Sequence, residues 1–203
     1  PVEIVYAAGF TPRRWLPPPA TAAGPLPKSL CSYARACLIS SGAAAVFTTC
    51  CDGMRRCYDV RAARGDRVFI LDLPRSAAAT AVAYFAGELR RLAAWLEDLG
   101  GEPVGPAELM AAVTLFEGLR QRLREASRDL PPGELYRLSH TACTEPASQA
   151  PALLEQTAAT AQPPVSGPPV LVTGTCPPDG SLIAAVEESG LQAVGLDFCT
   201  GTR

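Results

Sequence analysis

Long apolar runs are missing from this chain: nowhere in its 203 residues do eighteen apolar side chains follow one another, so no membrane-spanning helix is expected. Blocks of like charge are missing too. Lys and Arg number 18 against 20 Asp and Glu, a formal net charge of -2. The pairs Arg13-Arg14, Arg55-Arg56 and Arg90-Arg91 are too scattered to form the basic patch of a nucleic-acid-binding protein. Histidine is nearly absent. His140 is the only one, which excludes a zinc site built on several histidines and leaves His140 to be read as an ordinary loop residue. A G-x-x-x-x-G-K-[ST] loop is lacking, so the chain encodes no such nucleotide-binding loop. The opening PVEIVYAAGF has neither the basic start nor the long apolar stretch of a signal peptide, and a cytoplasmic chain is expected. It also lacks a starting Met and begins on a strand-like run, as the middle of a longer chain would.

What is present is an apolar fraction of 48%, enough for a proper core, and eight cysteines. An even cysteine count reads as disulfides in a small secreted chain. Here the helical stretches are long and a secretion signal is absent. The neighbours Cys50 and Cys51 cannot easily pair with each other, given the geometry a disulfide demands. Reduced thiols are therefore expected.

The pattern of apolar residues predicts a parallel α/β architecture. Val2–Ala8 reads as a buried strand ending at Gly9, residues 17–27 as a Pro/Ala-rich loop, and Leu30–Ile39 as a short helix. Ala43–Thr48 reads as a second strand, Met54–Ala63 as a helix and Val68–Leu71 as a third strand. Ser76 is placed to cap a helix to Leu99, with Val82, Phe85, Leu89, Leu92, Leu96 and Leu99 along one face. Pro106 starts another helix carrying Leu109, Val113, Phe116 and Leu123, which Pro131-Pro132-Gly133 breaks. A weaker helix is expected over Ala147–Ala161. After the linker at 163–169 come a strand (Val170–Thr173), a helix (Asp179–Ser189) and a strand (Ala193–Phe198). The expected organisation is a first α/β unit over 1–76, a helical segment over 77–162, and the start of a second, truncated α/β unit over 163–203. The two units are read as Rossmann- or flavodoxin-like.

Cysteines stand at strand ends in three places. Cys50-Cys51 follow AAAVFTT, Cys176 follows VLVTGT, and Cys199 follows AVGLDF; Cys31 opens LCSYAR. Gly or Pro follows closely in the first three, where backbone can approach a bound group. Thiolates bind soft metals and iron–sulfur clusters. In parallel α/β sheets ligands gather beyond the carboxyl ends of the strands, and distant cysteines would meet in one such crevice. The close C-x-x-C ladder of a ferredoxin or zinc ribbon is absent, however. Spacing alone favours reading the thiols as small buried hydrophobes.

The segments PVEIVYAAGFTPRRW, LCSYARACL, TTCCDGMRRCYDV, VFILDLPR, AVAYFAGELRRLAAWLE and VLVTGTCPPDGSLIAAVEESG–LDFCTGTR, in that order, together resemble the 2-hydroxyacyl-CoA dehydratase family. That family includes D-component subunits and the cluster subunits of benzoyl-CoA reductases. The resemblance implies a [4Fe-4S] cluster held by three cysteines, matching Cys31, Cys51 and Cys199. It implies further that one iron, free of protein ligands, acts on a thioester carbonyl, and that one electron yields a ketyl radical anion from which the 2-hydroxyacyl-CoA loses water to give an enoyl-CoA. The partners implied are an acyl-CoA substrate, a homologous subunit in a heterodimer, and a separate ATP-dependent iron–sulfur activator that delivers the electron. The sequence departs from the pattern in a short Cys31–Cys51 interval, the additional Cys50 beside Cys51, and a GTCP turn at Cys176. The last is similar to a turn in double-cubane proteins.

Rival readings stay open. In a double-cubane or benzoyl-CoA reductase-type reductase, Cys50, Cys51 and Cys176 would be added ligands. A cluster-free scaffold or a zinc protein are the others. Cys37 and Cys57 are expected to pack within helices, and Cys143 to lie in a loop. Asp52 is expected to cap a helix, and Arg55 and Arg56 to form a solvated helix face in preference to contacts with CoA phosphates. Arg75, after LDLP, is read as support for a cluster or for a carboxylate. Glu3 enters only as part of the resemblance.

Overall fold

The structure, a computed structural model, describes residues 1–16, 29–39, 43–126, 128, 130–159, 165–177 and 179–199. The 17–27 stretch, Pro163 and Pro164 of the linker, and Thr200-Gly201 lie outside the described residues. Among the described residues the chain is a mixed α/β protein of eight helices and four short strands. It divides into two compact units, Pro1–Pro12 with Thr21–Val113 and Arg13–Ala20 with Thr114–Arg203. Each unit contains one pair of parallel strands.

The first unit contains α1 (Val2–Ala7), α2 (Ser32–Ile39), β1 (Ala45–Thr48), α3 (Asp52–Ala63), β2 (Val68–Leu71), α4 (Ala79–Asp98) and the start of α5 (Pro106–Ala126). β1 and β2 run parallel, Ala45 opposite Val68 through to Thr48 opposite Leu71. A parallel pair needs a crossover, and α3 supplies it. Alternation along the strands sends side chains to two cores. Phe69 and Leu71 join Ile4, Ala8, Leu92 and Leu96 on one face. Phe47 joins Ala34, Cys37, Leu38, Met54 and Cys57 on the other. Covering on both faces explains why the strands read as continuous apolar runs.

Val2–Ala8, expected as a strand, is instead helix α1 with Ala8 as its cap. Among the described residues no strand lies beside it, so its amides must be satisfied locally. The N–H of Val5 reaches Pro1 O at 3.2 Å and that of Ala8 reaches Ile4 O at 3.0 Å. Ile4 and Ala8 still face the core, now against Leu92 and Leu96 of α4. Gly9, at φ +83°, turns the chain out of the helix in the left-handed region that glycine tolerates. A Cβ on Gly101 would stand 2.5 Å from the Phe10 ring, so only glycine admits the chain there.

The second unit contains the remainder of α5, then α6 (Pro132–Thr144), α7 (Ala150–Ala159), β3 (Pro169–Gly174), α8 (Ser181–Glu188) and β4 (Gln192–Phe198). β3 and β4 are parallel, with a register irregularity at Val170/Leu171. Tyr136, Ile183, Ala193 and Phe198 form their core. Both strands are covered on one side only: Leu171 of β3 is 66% exposed and Val194 of β4 54%. The Pro131-Pro132-Gly133 break is also a beginning. Pro131 caps α6 and Pro132 takes its first position, where a missing N–H is no loss. His140 and Cys143, expected in a loop, therefore lie on a helix. α4 starts at Ala79 with Ala78 as cap rather than at Ser76, and Val82, expected on its apolar face, is 68% exposed.

Candidate metal centre

In the first unit, two cysteines open adjacent helices. Cys31 stands immediately before α2. Its carbonyl accepts the Arg35 N–H at 3.0 Å, and its Sγ accepts the Ala34 N–H at 3.4 Å. This is the geometry of a helix cap with sulfur in place of oxygen. Cys51 is the cap of α3, with its carbonyl accepting the Arg55 N–H at 3.3 Å. No side-chain hydrogen bond closes that cap. The Met54 and Gly53 amides nevertheless favour its thiolate, although burial and the neighbouring Cys50 outweigh them and raise its pKa. Both sulfurs are thus set at the positive ends of helices, where unpaired N–H groups favour negative charge.

The two helix starts pack together. A methyl built on Gly53 would lie 3.5 Å from the Ala34 Cβ and 3.7 Å from Cys51 Sγ. Glycine therefore leaves a notch beside that sulfur. Cys57, on α3 and fully buried, donates its S–H to Ala34 O at 3.3 Å. Its thiol is pushed up to about 11, first by burial and then by Cys31 and Cys51. Cys37, buried on α2, is pushed up to about 12 by burial and by Cys57. Cys37 and Cys57 therefore stay protonated at neutral pH, as the packing role expected of them requires. Cys31, Cys50 and Cys51 are exposed.

Beyond the carboxyl ends of β1 and β2 lies an open cavity of about 480 Å³, lined by Thr49, Arg55, Tyr58, Asp72, Tyr84 and Arg91 among others. Asp72, from LDLPR, is its anchor. Its carboxylate accepts Thr49 Oγ1–H at 2.5 Å and Tyr84 O–H at 2.6 Å. These hydrogen bonds, Thr49 first, hold it below the usual carboxylate pKa. The Leu73 N–H closes the link by donating to Thr49 Oγ1 at 2.9 Å. The loop that presents Cys50 and Cys51 is thereby tied to the end of β2. Arg56 is a solvated face as expected, paired with Asp59 at 2.8 Å. Arg55 is different: its Nε is buried and has no hydrogen-bond partner among the described residues. Asp52 is the first residue of α3 rather than its cap, and Arg75 is exposed.

In the second unit the cysteines part company. Cys176 is 1% exposed, with its sulfur 3.9 Å from the Tyr136 hydroxyl. That hydroxyl donates to Pro177 O at 2.7 Å. Burial, then Cys176, raises the Tyr136 pKa. Cys199 follows β4 and is exposed, and its carbonyl accepts a hydrogen bond from Arg14 at 3.1 Å. Cys143 is half-buried on α6, and burial raises its thiol pKa. Its carbonyl accepts the Arg14 N–H at 2.7 Å.

Of the expected ligands, then, Cys31 and Cys51 share one neighbourhood with Cys50 beside them, whereas Cys199 and Cys176 belong to the other unit. The strands that precede Cys51 and Cys199 form two sheets and not one. Among the described residues no three His, Cys, Asp or Glu side chains converge to hold a single metal ion. The residue missed in the sequence is Ala34, the contact between the two helix starts. A signal for the match was present: CSYAR and CDGMR both read Cys-x-x-x-Arg, and both cysteines occupy the same place at a helix start.

The whole chain, residues 1–203, matches the family described as 2-hydroxyglutaryl-CoA dehydratase, D-component. The chain belongs to that family. Comparison with curated proteins gives no match. Membership in the D-component family makes the chain a component of a 2-hydroxyacyl-CoA dehydratase, a multi-subunit enzyme. No described helix is long and apolar enough to cross a membrane. The residues of the first unit suit a cluster in three respects. The donors are cysteine sulfurs, soft ligands once deprotonated, they sit at helix starts whose amides reach them, and Gly53 keeps the space beside Cys51 clear.

Proposed function

We propose that this D-component is the iron–sulfur subunit of a dehydratase that removes water from a 2-hydroxyacyl-CoA by radical chemistry. Cys31, Cys51 and Cys199 would supply three thiolates to a [4Fe-4S] cluster. The observation that carries the reading is the matched pair of helix-start cysteines, Cys31 with its sulfur on the Ala34 amide and Cys51 beside the Gly53 notch. When bound, such a cluster offers a one-electron store and an iron that acts as a Lewis acid on a thioester oxygen.

The chain's own residues do the rest. The α2 and α3 N-termini favour the negative charge of bound thiolates and sulfides. The Thr49–Asp72–Tyr84 network fixes the loop that carries Cys51. The electron would come from an ATP-dependent activator, and a homologous subunit would complete a heterodimer, with cytoplasmic assembly. Cys176 lies under Tyr136 at 1% exposure, which favours a single cubane over the double-cubane alternative.

The test is anaerobic production, followed by iron and sulfide analysis and electron paramagnetic resonance. About four irons per chain are expected for a single cubane. Cys51→Ser and Cys199→Ser should each abolish the reduced-cluster signal, and Cys37→Ser should keep it. About eight irons would favour the double cubane. A colourless protein, or one holding zinc alone, would overturn the reading.

A further inference from the structure

Cys57 takes no part in the ligand set, yet it is fully buried between the two helices that present Cys31 and Cys51. Its S–H reaches across to Ala34 O at 3.3 Å, a partner 23 positions earlier in the chain. The same Ala34 donates its N–H to Cys31 Sγ at 3.4 Å. On the other side, Cys57 lies in α3, the helix that Cys51 caps. One backbone unit thus touches Cys31 directly and the Cys51 helix through the Cys57 thiol. Ala34 is itself fully buried, and water does not compete for the link. The Gly53 position faces the same residue, within van der Waals reach of Ala34 Cβ.

Resting on the iron–sulfur reading, we propose that Cys57 is a positioning residue: its thiol, through Ala34, fixes the separation and orientation of the Cys31 and Cys51 sulfurs. The rival role is packing alone, in which Cys57 is a small hydrophobe. The two roles predict opposite orders of substitution. Packing favours Cys57→Val, which is apolar and similar in volume, over Cys57→Ser, which buries a hydroxyl. A hydrogen-bonded tie favours Cys57→Ser, which keeps a donor for Ala34 O, over Cys57→Val, which has none.

Two readouts on the full chain separate this inference from the reading beneath it. The first is iron retained after anaerobic reconstitution and exposure to a chelator. The second needs no iron: bridging of Cys31 to Cys51 by a short bifunctional alkylating reagent, read by peptide mass spectrometry in a Cys50→Ala background. Cys57→Val should lower bridging and iron retention by about fivefold, the scale of one net hydrogen bond. Cys57→Ser should stay within about twofold of the parent by the same measure. Circular dichroism verifies folding, and Cys57→Ala stands in should Cys57→Val not fold. Apolar variants that match or exceed Cys57→Ser in bridging overturn the proposal. A parent chain that takes up no iron overturns the cluster reading, and the bridging order still decides the role of Cys57.

Discussion

Each of the two βαβ units places a cysteine just beyond a strand, and the two treat that thiol in opposite ways. In the first, Cys51 follows β1, caps α3 and stands exposed beside the Gly53 notch. In the second, Cys176 follows β3 and is buried, with the Tyr136 hydroxyl 3.9 Å from its sulfur. The position in the fold is the same, but the covering differs. A strand-end cysteine becomes a candidate ligand where the next helix begins directly on it, because the helix then turns free amides toward the sulfur. It becomes core where a long side chain from a third element closes over it.

The largest effect that would break this comparison comes from removing the cover. Tyr136→Ala should destabilise the protein by about 3–5 kcal/mol, as truncation of a buried aromatic side chain does. It should also turn Cys176 from the slowly alkylated class, with Cys37 and Cys57, to the fast class of Cys31 and Cys199. Denaturant unfolding and timed alkylation with mass spectrometry check both. If Cys176 stayed slow in a folded variant, Tyr136 would not be what hides it.

Next comes the lock on the first unit's loop. The Asp72 carboxylate has a lowered pKa because it accepts from Thr49 and Tyr84. Its stabilisation is therefore present above the ordinary carboxylate range and is lost as pH falls through the depressed folded value. Asp72→Asn should lower the melting temperature at neutral pH and flatten its fall between about pH 5 and pH 3. Melting curves across that range decide the point; an unchanged acid limb would remove Asp72 from the lock. The smallest effect sharpens the contrast. Gly53→Ala should raise stability by about 0.5–1 kcal/mol, as replacing a helical glycine does, because the new methyl makes only ordinary contacts. It should nevertheless slow iron uptake by filling the notch beside Cys51. Equal uptake in the variant and its parent would mean that the notch has no such role.

Much of the first unit was legible because its signals are local. β1, α3 and β2 fall within two residues of their expected bounds, since both faces of the strand pair are buried and the runs are continuous. Cys37 and Cys57, expected within helices, are buried there for the same reason. The errors share a cause in the surroundings. Val2–Ala8 carries strand-forming residues, but a strand needs a neighbour; among the described residues none lies beside it, and the segment coils onto Leu92 and Leu96. Pro131-Pro132 reads as a stop for α5, yet α5 already ends at Ala126 and the prolines instead begin α6, where a missing N–H is no loss. His140 and Cys143 were misplaced with it.

By itself the sequence determined the family, through motifs spread along the whole chain, and the parallel α/β character, through apolar runs joined by one amphipathic crossover. It also put Cys51 between a strand and the next helix, although the caps themselves, Cys31 before α2 and Cys51 before α3, emerged only in the structure. Only the tertiary structure decided which thiols are covered. Buried Cys176 meets the hydroxyl of Tyr136, forty positions away, and the link from Cys57 to Cys31 runs through Ala34. Those choices are made where helices pack against one another, and a contact between distant residues leaves no mark in local sequence pattern.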